Sequence, residues 1–245
     1  MSKALYPAAF LLLFCGNSLL AQVPAWGGGA DQNDLSFGFT FGYITSNYKI
    51  IKQPNWRNPY FDNGAGKFIT DSLNSIISNK QPGFSIGFIT RYRLTEHLEV
   101  RVTPSLVLAD RSLSYAYADP SKDVTKQIQT TTADFPLLLK LKSDRIGDFR
   151  AYILGGIKYS FAIGKGDNGD NTNIDPLQKP VKNVGGFASY EAGLGCDIYF
   201  EFFKLSPEIK ISNSIGNVLV AENQPFANPI SKLFLHALTL SLYFE

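Results

Sequence analysis

The stretch of sequence that decides the fold reads Leu35-Ser36-Phe37-Gly38-Phe39-Thr40-Phe41-Gly42-Tyr43-Ile44-Thr45. Because successive side chains of a β-strand point to opposite faces, every second residue from Leu35 to Tyr43 places a large apolar side chain on one face. The residues between them are small or polar. The stretch therefore predicts a strand with one apolar, aromatic face, and its meaning depends on whether the pattern recurs.

The same alternation recurs along the chain and predicts eight strands in all. The further segments are 82–92, about 98–117, the segment from a turn at 119–122 to Leu141, 149–163, 186–200, 204–214 and 232–245. Short connections at 94–97, 143–148 and 201–203 alternate with long ones at 46–81, 164–183 and 215–230. Strands joined alternately by short and long connections are typical of outer-membrane barrels, whose short turns face the periplasm.

The sequence therefore predicts an all-β fold over residues 35–245. The expected architecture is an eight-stranded antiparallel up-and-down transmembrane β-barrel with short periplasmic turns and longer external loops, its apolar face against outer-membrane lipid. A closed barrel pairs every backbone N–H and C=O group, which hydrocarbon requires. Inside the first long connection, Thr70-Asp71-Ser72 before an apolar run predicts the start of a short helix.

The composition is consistent with a barrel and argues against other classes. Hydrophobic residues make up 44% of the chain, and the mean hydropathy is −0.04. After the N-terminal leader, no apolar run approaches the ~18–20 residues that a membrane-spanning helix needs. The 19 Phe, 12 Tyr and 21 Gly suit a barrel with aromatic interfaces and closely packed strands. A net charge of +2 gives no electrostatic reason to expect a nucleic-acid partner.

The N terminus has the features of a secretory signal peptide. Lys3 precedes an apolar stretch at 4–14, and small residues near Ala21 provide a cleavage site. We therefore predict a signal peptide at 1–21, a flexible periplasmic lead at 22–34 and an integral position in the bacterial outer membrane after export. An alternative, lipid attachment at Cys15, is disfavoured by the bulky residue before it.

The polar face of the predicted strands collects charges of both signs, which predict a structural network of ion pairs in the lumen. Its members are Arg101, Asp134, Lys140, Arg150, Lys158, Glu191, Asp197, Glu208 and Lys210. The interior of an eight-stranded barrel is just wide enough for side chains, so paired charges can fill it. A proton or ion path is the alternative. A water-soluble lipocalin-like domain would instead place the apolar face inside.

No set of residues predicts catalysis, a metal site or a cofactor. His97 and His236 lie far apart in the predicted topology, and neither has zinc-ligand spacing to cysteines or carboxylates. His236 together with Ser231 leaves open a lipid hydrolase or acyltransferase, although a histidine at the membrane interface is the simpler interpretation. Cys196 is the sole cysteine after the signal peptide and can form no internal disulfide.

The first long connection is rich in aromatic residues. Trp56, Tyr60 and Phe61 lie close together in a loop that the topology places outside the cell. Exposed aromatic groups usually contact one another or a partner, so this loop is a predicted partner-contact region.

Several motifs resemble the PorT family of outer-membrane barrels, which belong to the type IX secretion and gliding-motility apparatus. They are Pro82–Gly87, Arg101–Leu106, Asp110–Tyr115, Asp134–Lys140, Gly155–Tyr159, Leu205–Lys210 and the closing Phe244-Glu245. Their order and joint presence over residues 35–245 carry the resemblance. One departure is that many such chains end on an aromatic residue, whereas here Phe244 precedes Glu245.

The resemblance implies a barrel that is required for export of cargo with C-terminal sorting domains, with other secretion-apparatus proteins as partners. It implies no catalytic activity and no catalytic residues. Two alternatives stay open from the residues: a small barrel enzyme that acts on lipid, and a passive porin or adhesion barrel.

Overall fold

The computed structural model describes residues 33–128, 130–163 and 175–245. Its strands are β1 Leu35–Lys52, β2 Phe61–Asp62, β3 Lys67–Phe68, β4 Leu73–Ile77, β5 Gln81–Arg93, β6 Leu98–Val102, β7 Ser105–Ala109, β8 Arg111–Tyr117, β9 Val124–Ile128, β10 Thr131–Lys142, β11 Phe149–Ile163, β12 Gly186–Tyr199, β13 Lys204–Ile215 and β14 Ile230–Phe244. Pro120–Lys122 forms a 3-10 turn. In the part of the chain that the structure describes, no helix has the length and apolarity to cross a membrane. The predicted signal peptide and nearly all of the predicted lead lie outside the described residues.

The strands close into a barrel. Around it the order is β1, β14, β13, β12, β11, β10, then β6 and β7 as one wall, and β5, which pairs with β1. All pairs are antiparallel. Because β6 and β7 together occupy one strand position between β10 and β5, eight strand positions surround the lumen. This count confirms the predicted eight-stranded antiparallel barrel.

The third predicted strand, 98–117, is not continuous as expected. It breaks at Thr103-Pro104 between β6 and β7, and β8 then leaves the wall. Pro136 of β10 faces this break, because the register runs from Leu137 opposite Val102 to Asp134 opposite Ser105. Proline has no N–H for a ladder, so two prolines on facing strands interrupt the pairing at one level.

The predicted short helix in the first connection is wrong. Leu73–Ile77 is instead strand β4, which pairs with β8 in a separate three-stranded sheet of order β4-β8-β9. The apolar residues at 73, 76 and 77 are spaced as in a helix or in a strand. They form a strand because the edge of β8 pairs with them. Phe61 and Phe68 face each other in the small β2–β3 hairpin.

This sheet and the neighbouring loops form what we call the outer cap, which has an apolar core of its own. The core consists of Tyr48, Leu73, Ile76, Leu113, Tyr115, Tyr117, Ile128, Val181, Val218, Leu219, Phe226, Ala227, Ile230, Leu233 and Leu235. Tyr115 donates a hydrogen bond to the Phe226 carbonyl at 2.6 Å, and their ring centroids are 5.2 Å apart. The cap closes the end of the barrel that carries the longer loops.

The two faces of the barrel wall are reversed relative to a water-soluble protein. Large apolar side chains are exposed on the outside, among them Phe37, Phe41, Phe88, Leu139, Ile153, Ile157, Leu194 and Leu240. Charged side chains are buried inside, among them Arg101, Lys140, Asp197 and Glu208. An apolar outer wall and a polar lumen suit a barrel in a bilayer, so the lipocalin-like alternative is wrong.

Candidate functional site

The candidate site is the lumen, where an ion pair joins opposite walls at mid-height. The Arg101 guanidinium on β6 donates to the Glu208 carboxylate on β13. These strands are four positions apart in a ring of eight strand positions, so the ion pair crosses the lumen. Tyr152 also donates to Glu208 at 2.9 Å, and the Arg101 guanidinium lies 4.4 Å from the Tyr243 ring centroid. All four side chains are buried.

Tyr152 fits into the lumen because the facing residue has no side chain. Gly195 lies opposite Tyr152 in the β11–β12 ladder, and a Cβ added to Gly195 would stand 2.5 Å from the Tyr152 hydroxyl. A glycine at this position therefore makes room for an aromatic ring, and the ring carries a hydroxyl to Glu208.

A second group of charges lies around Lys158 of β11. Its ammonium is 3.0 Å from Asp134 on one side and 2.9 Å from Glu191 on the other. Lys210 is 3.7 Å from Glu191 and 3.5 Å from Glu208, which links this group to the cross-barrel pair. Buried charges require such partners, because isolated ones would lose hydration without compensation.

A third group joins Lys140 of β10 to Asp197 of β12. The Lys140 ammonium donates to both Asp197 oxygens at 2.8 Å, and Ser206 adds a hydrogen bond of 2.6 Å. The same ammonium stands 3.8 Å from the ring centroid of Tyr152 and 3.9 Å from the Glu99 carboxylate. The three groups therefore form one continuous network.

The network extends to the inner end of the barrel through residues that the sequence analysis did not select. They are Arg91, Glu99, Lys142, Lys204 and Glu245. Glu99 accepts from Arg91 at 2.9 Å and also from Lys142. Glu245 lies 2.5 Å from Arg91 and 3.0 Å from Lys204. Arg91, Glu99 and Lys142 share the inward phase of the predicted network, and that phase could have identified them.

Arg150, a predicted member of the network, occupies a different place. It has the inward phase of β11 but lies at the short-turn rim, where its guanidinium donates to the carbonyls of Ser143 and Glu96. Its neighbour Asp144 is exposed on the same turn, and the hydrogen bond from His97 lowers the pKa of that carboxyl. The position of Arg150 at the start of its strand explains the difference.

Large side chains fill the lumen at its inner end, in its middle and near the cap. Arg91 and Lys204 at the inner end, Arg101, Lys140, Tyr243 and Leu138 in the middle, and Leu233 and Phe226 near the cap are all less than 2% exposed. A water-filled pore would leave polar wall residues accessible. The arrangement therefore favours a rigid, occupied cylinder over a channel.

The predicted partner-contact residues have different environments. Trp56 packs against the core of the outer cap, with the Lys52 ammonium 3.9 Å from its ring centroid. The Tyr60 hydroxyl donates to the backbone carbonyl of Asn223 at 3.0 Å. Phe61 is 45% exposed. Of the three aromatic side chains, Phe61 is therefore the one most available to a partner.

The structure does not bring the proposed lipid-enzyme residues together. The His236 Nδ1 atom contacts the Asn213 side-chain oxygen at 2.5 Å, and Ser231 and His236 share no hydrogen bond in the described part of the chain. Nor do the described residues contain a group of three or more His, Cys, Asp or Glu that could hold a metal ion.

A family comparison agrees with the barrel fold. A family model described as "Outer membrane protein beta-barrel domain" matches residues 21–220, which include β1 to β13. Among solved structures, the chain is similar to the outer membrane protein OprG from Pseudomonas aeruginosa, with 13% identity, a TM-score of 0.45 and coverage of 86% of this chain and 93% of that chain. It is also similar to Neisserial surface protein A, with 11% identity, a TM-score of 0.43 and coverage of 86% and 98%. A third similar structure is the outer membrane protein AlkL, with 14% identity, a TM-score of 0.43 and coverage of 91% and 95%. No match was found among curated proteins.

Proposed function

Because the chain belongs to the family of outer membrane protein beta-barrel domains, we propose that it is a non-enzymatic component required for type IX protein secretion. In this role it is required for the export of cargo with C-terminal sorting domains and acts by contacts with other components of the apparatus. The ordered motifs that resemble the PorT family support the pathway. The paired charges in the lumen support action by contact.

One observation carries the choice of contact over conduction, namely the Arg101–Glu208 pair across the lumen. A cargo chain that passed through this barrel would have to separate that pair and the charges joined to it. Leaving one member of a buried pair without its partner costs about 3–5 kcal/mol. Repeated over several pairs, this cost opposes passage, so the outer surfaces are the functional ones.

The β2–β3 hairpin on the outer cap is the surface that we assign to a protein partner. Phe61 and Phe68 are 45% and 65% exposed, and their ring centroids are 5.1 Å apart in an edge-to-face pair. They lie outside the apolar wall, so hydrocarbon does not cover them. Aromatic side chains in such a position are typical anchors of protein interfaces.

A clean deletion tests the pathway. We expect it to abolish export of a reporter that carries a C-terminal sorting domain, and the intact gene supplied in trans should restore export. Normal export in the deletion strain would refute the role. Complementation with S231A/H236A should also restore export, whereas a lipid enzyme that used these residues would lose function.

Substitutions on the hairpin test the contact surface. F61S/F68S should reduce export strongly while the barrel still shows the heat-dependent gel shift of a folded outer-membrane protein. The matched control, I77S/L177S, removes two other exposed apolar side chains of the outer cap and should leave export unchanged. Unchanged export with F61S/F68S would exclude the hairpin but leave the pathway intact.

A further inference from the structure

Three lysines, Lys49, Lys80 and Lys232, lie together on the outward side of the barrel at the ends of β1, β5 and β14. We call them the lysine cluster. In the β1–β14 ladder, Lys49 faces Phe234 and Lys232 faces Ile51. Lys49 and Lys232 are thus diagonal neighbours, about 7 Å apart at their backbones.

Lys80 approaches the same place from the other side of β1. The β1–β5 ladder ends with Ser46 opposite Gln81, so Lys80 comes next to Asn47. The two segments stay together beyond the ladder, because Tyr48 donates its N–H to the Ser78 hydroxyl at 2.9 Å. All three lysine side chains are exposed.

A row of polar side chains borders the lysine cluster on the membrane side. Asn47, His236 and Asn213 lie directly opposite one another on β1, β14 and β13. They alternate with buried neighbours such as Leu235, so they share the outward face. Two residues nearer the membrane centre, the same face of β14 carries the exposed Leu238. The polar row therefore interrupts the outward apolar face near its external end, with the exposed Ile51 and Ile215 beyond it.

The ammonium groups of the lysine cluster have no acidic partner among the residues that the structure describes. Within the described residues, none of the three forms an ion pair or another polar contact. Other lysines of the outer cap differ, since Lys122 pairs with Asp71 at 2.7 Å and Lys182 with Glu222 at 3.3 Å. Lys49 is a diagonal neighbour of both Lys80 and Lys232, so its charge is repelled by theirs, and an external anion would relieve that repulsion.

We propose that the lysine cluster and the polar row bind the phosphorylated headgroup of an anionic glycolipid in the outer leaflet. The ammonium groups pair with its phosphates, while the Asn47, His236 and Asn213 side chains hydrogen-bond to sugar hydroxyl and amide groups. The acyl chains lie along the apolar wall below. The lysine cluster and the polar row lie together at the external end of the barrel, with the apolar wall below them, which is the arrangement that such a lipid requires.

Lipid retention tests the proposal with the full chain in phosphatidylcholine nanodiscs that contain a bis-phosphorylated glucosamine lipid. After mild extraction, native mass spectrometry measures the lipid that stays bound. Each lysine near a charged lipid contributes about fivefold, or ~1 kcal/mol, so K49Q/K80Q/K232Q should weaken retention on the order of 100-fold. K49R/K80R/K232R keeps the charge and should retain the lipid.

The control variant K67Q/K122Q/K179Q removes three lysines from elsewhere on the external side and should bind like the wild type. Nanodiscs with the dephosphorylated form of the same lipid, or with phosphatidylglycerol, should give little retention. The proposal is overturned if K49Q/K80Q/K232Q, folded by gel shift, retains as much lipid as the wild type. It is also overturned if the wild type retains either comparison lipid equally. The single reversal Lys49→Glu provides an independent test and should reduce retention more than Lys49→Gln.

Discussion

The Arg101 guanidinium and the Glu208 carboxylate form an ion pair that joins opposite walls of the barrel. The pair connects on one side to Lys210 and on the other to Tyr152. A cross-barrel contact resists both widening and flattening of the cylinder. The lumen is therefore a structural element that holds the outer surfaces in fixed positions.

Removing one member of this pair should destabilise the barrel. Arg101→Met leaves Glu208 buried without its main partner, so we expect the free energy of unfolding to fall by about 3–5 kcal/mol. Urea unfolding in detergent micelles, followed by gel shift, measures the change. Lys122→Met, which breaks an exposed pair with Asp71, should cost far less because water and salt screen that pair. Equal losses in the two variants would contradict the structural role of the lumen pair.

Two adjacent glycines of β11 should respond differently to a methyl group. A Cβ on Gly156 would stand 2.1 Å from the Leu137 carbonyl oxygen, whereas a Cβ on Gly155 would meet only the Glu191 carbonyl oxygen at 3.6 Å. Gly156→Ala must push β10 and β11 apart, and we expect a loss of about 1–3 kcal/mol. Gly155→Ala should change stability by less than ~0.5 kcal/mol. Urea unfolding compares them, and equal stability of both variants would argue against the described strand spacing.

The folding cost of a charged residue on the outside of the protein should depend on whether lipid or water surrounds that residue. Leu139 is 53% exposed on the outside of β10. In lipid vesicles, Leu139→Arg should therefore cost about 2–4 kcal/mol of folding free energy. Phe68→Arg, at an exposed residue of the outer cap, should cost much less because water surrounds it. If Leu139→Arg were tolerated as well as Phe68→Arg, the outward wall would not face hydrocarbon.

The outer cap should show a pH dependence that originates at Tyr117. Burial, followed by the carboxylates of Asp123 and Asp71, raises the pKa of Tyr117 to about 12 from an ordinary value of 10.0. Because the folded state holds the phenol neutral, its contribution to stability is complete below pH ~10 and is lost as the pH rises towards ~12. Spectrophotometric titration of tyrosinate should show a late-ionising group that Tyr117→Phe removes. An unchanged titration curve in that variant would contradict this assignment.

Alternation alone predicts the barrel and the inward phase of its charges. The period of two that identifies Leu35 to Tyr43 also places Lys158 and Glu191 inside, without any knowledge of pairing. The alternation does not show where along the barrel axis a residue lies. For that reason the pattern places Arg150, which lies at the rim, in one network with residues deep in the lumen.

The outer cap could not be predicted from alternation, because that pattern does not specify a strand's partner. The large apolar residues change from even-numbered positions such as Leu108 in β7 to odd-numbered positions such as Leu113 in β8, which marks a change of environment but does not name the strand that β8 pairs with. Likewise, Leu73, Ile76 and Ile77 suit a helix or a strand by spacing. Pairing with β8, a contact distant in sequence, determines the outcome.

Conductance of the purified full chain in a planar bilayer tests the central claim most directly, since an occupied lumen and an open pore behave oppositely. The filled lumen predicts no steady current through the wild type, whereas R101A/E208A, which removes the cross-barrel pair, should admit intermittent current. A stable, ohmic current through the wild type would contradict a filled lumen and favour a passive porin.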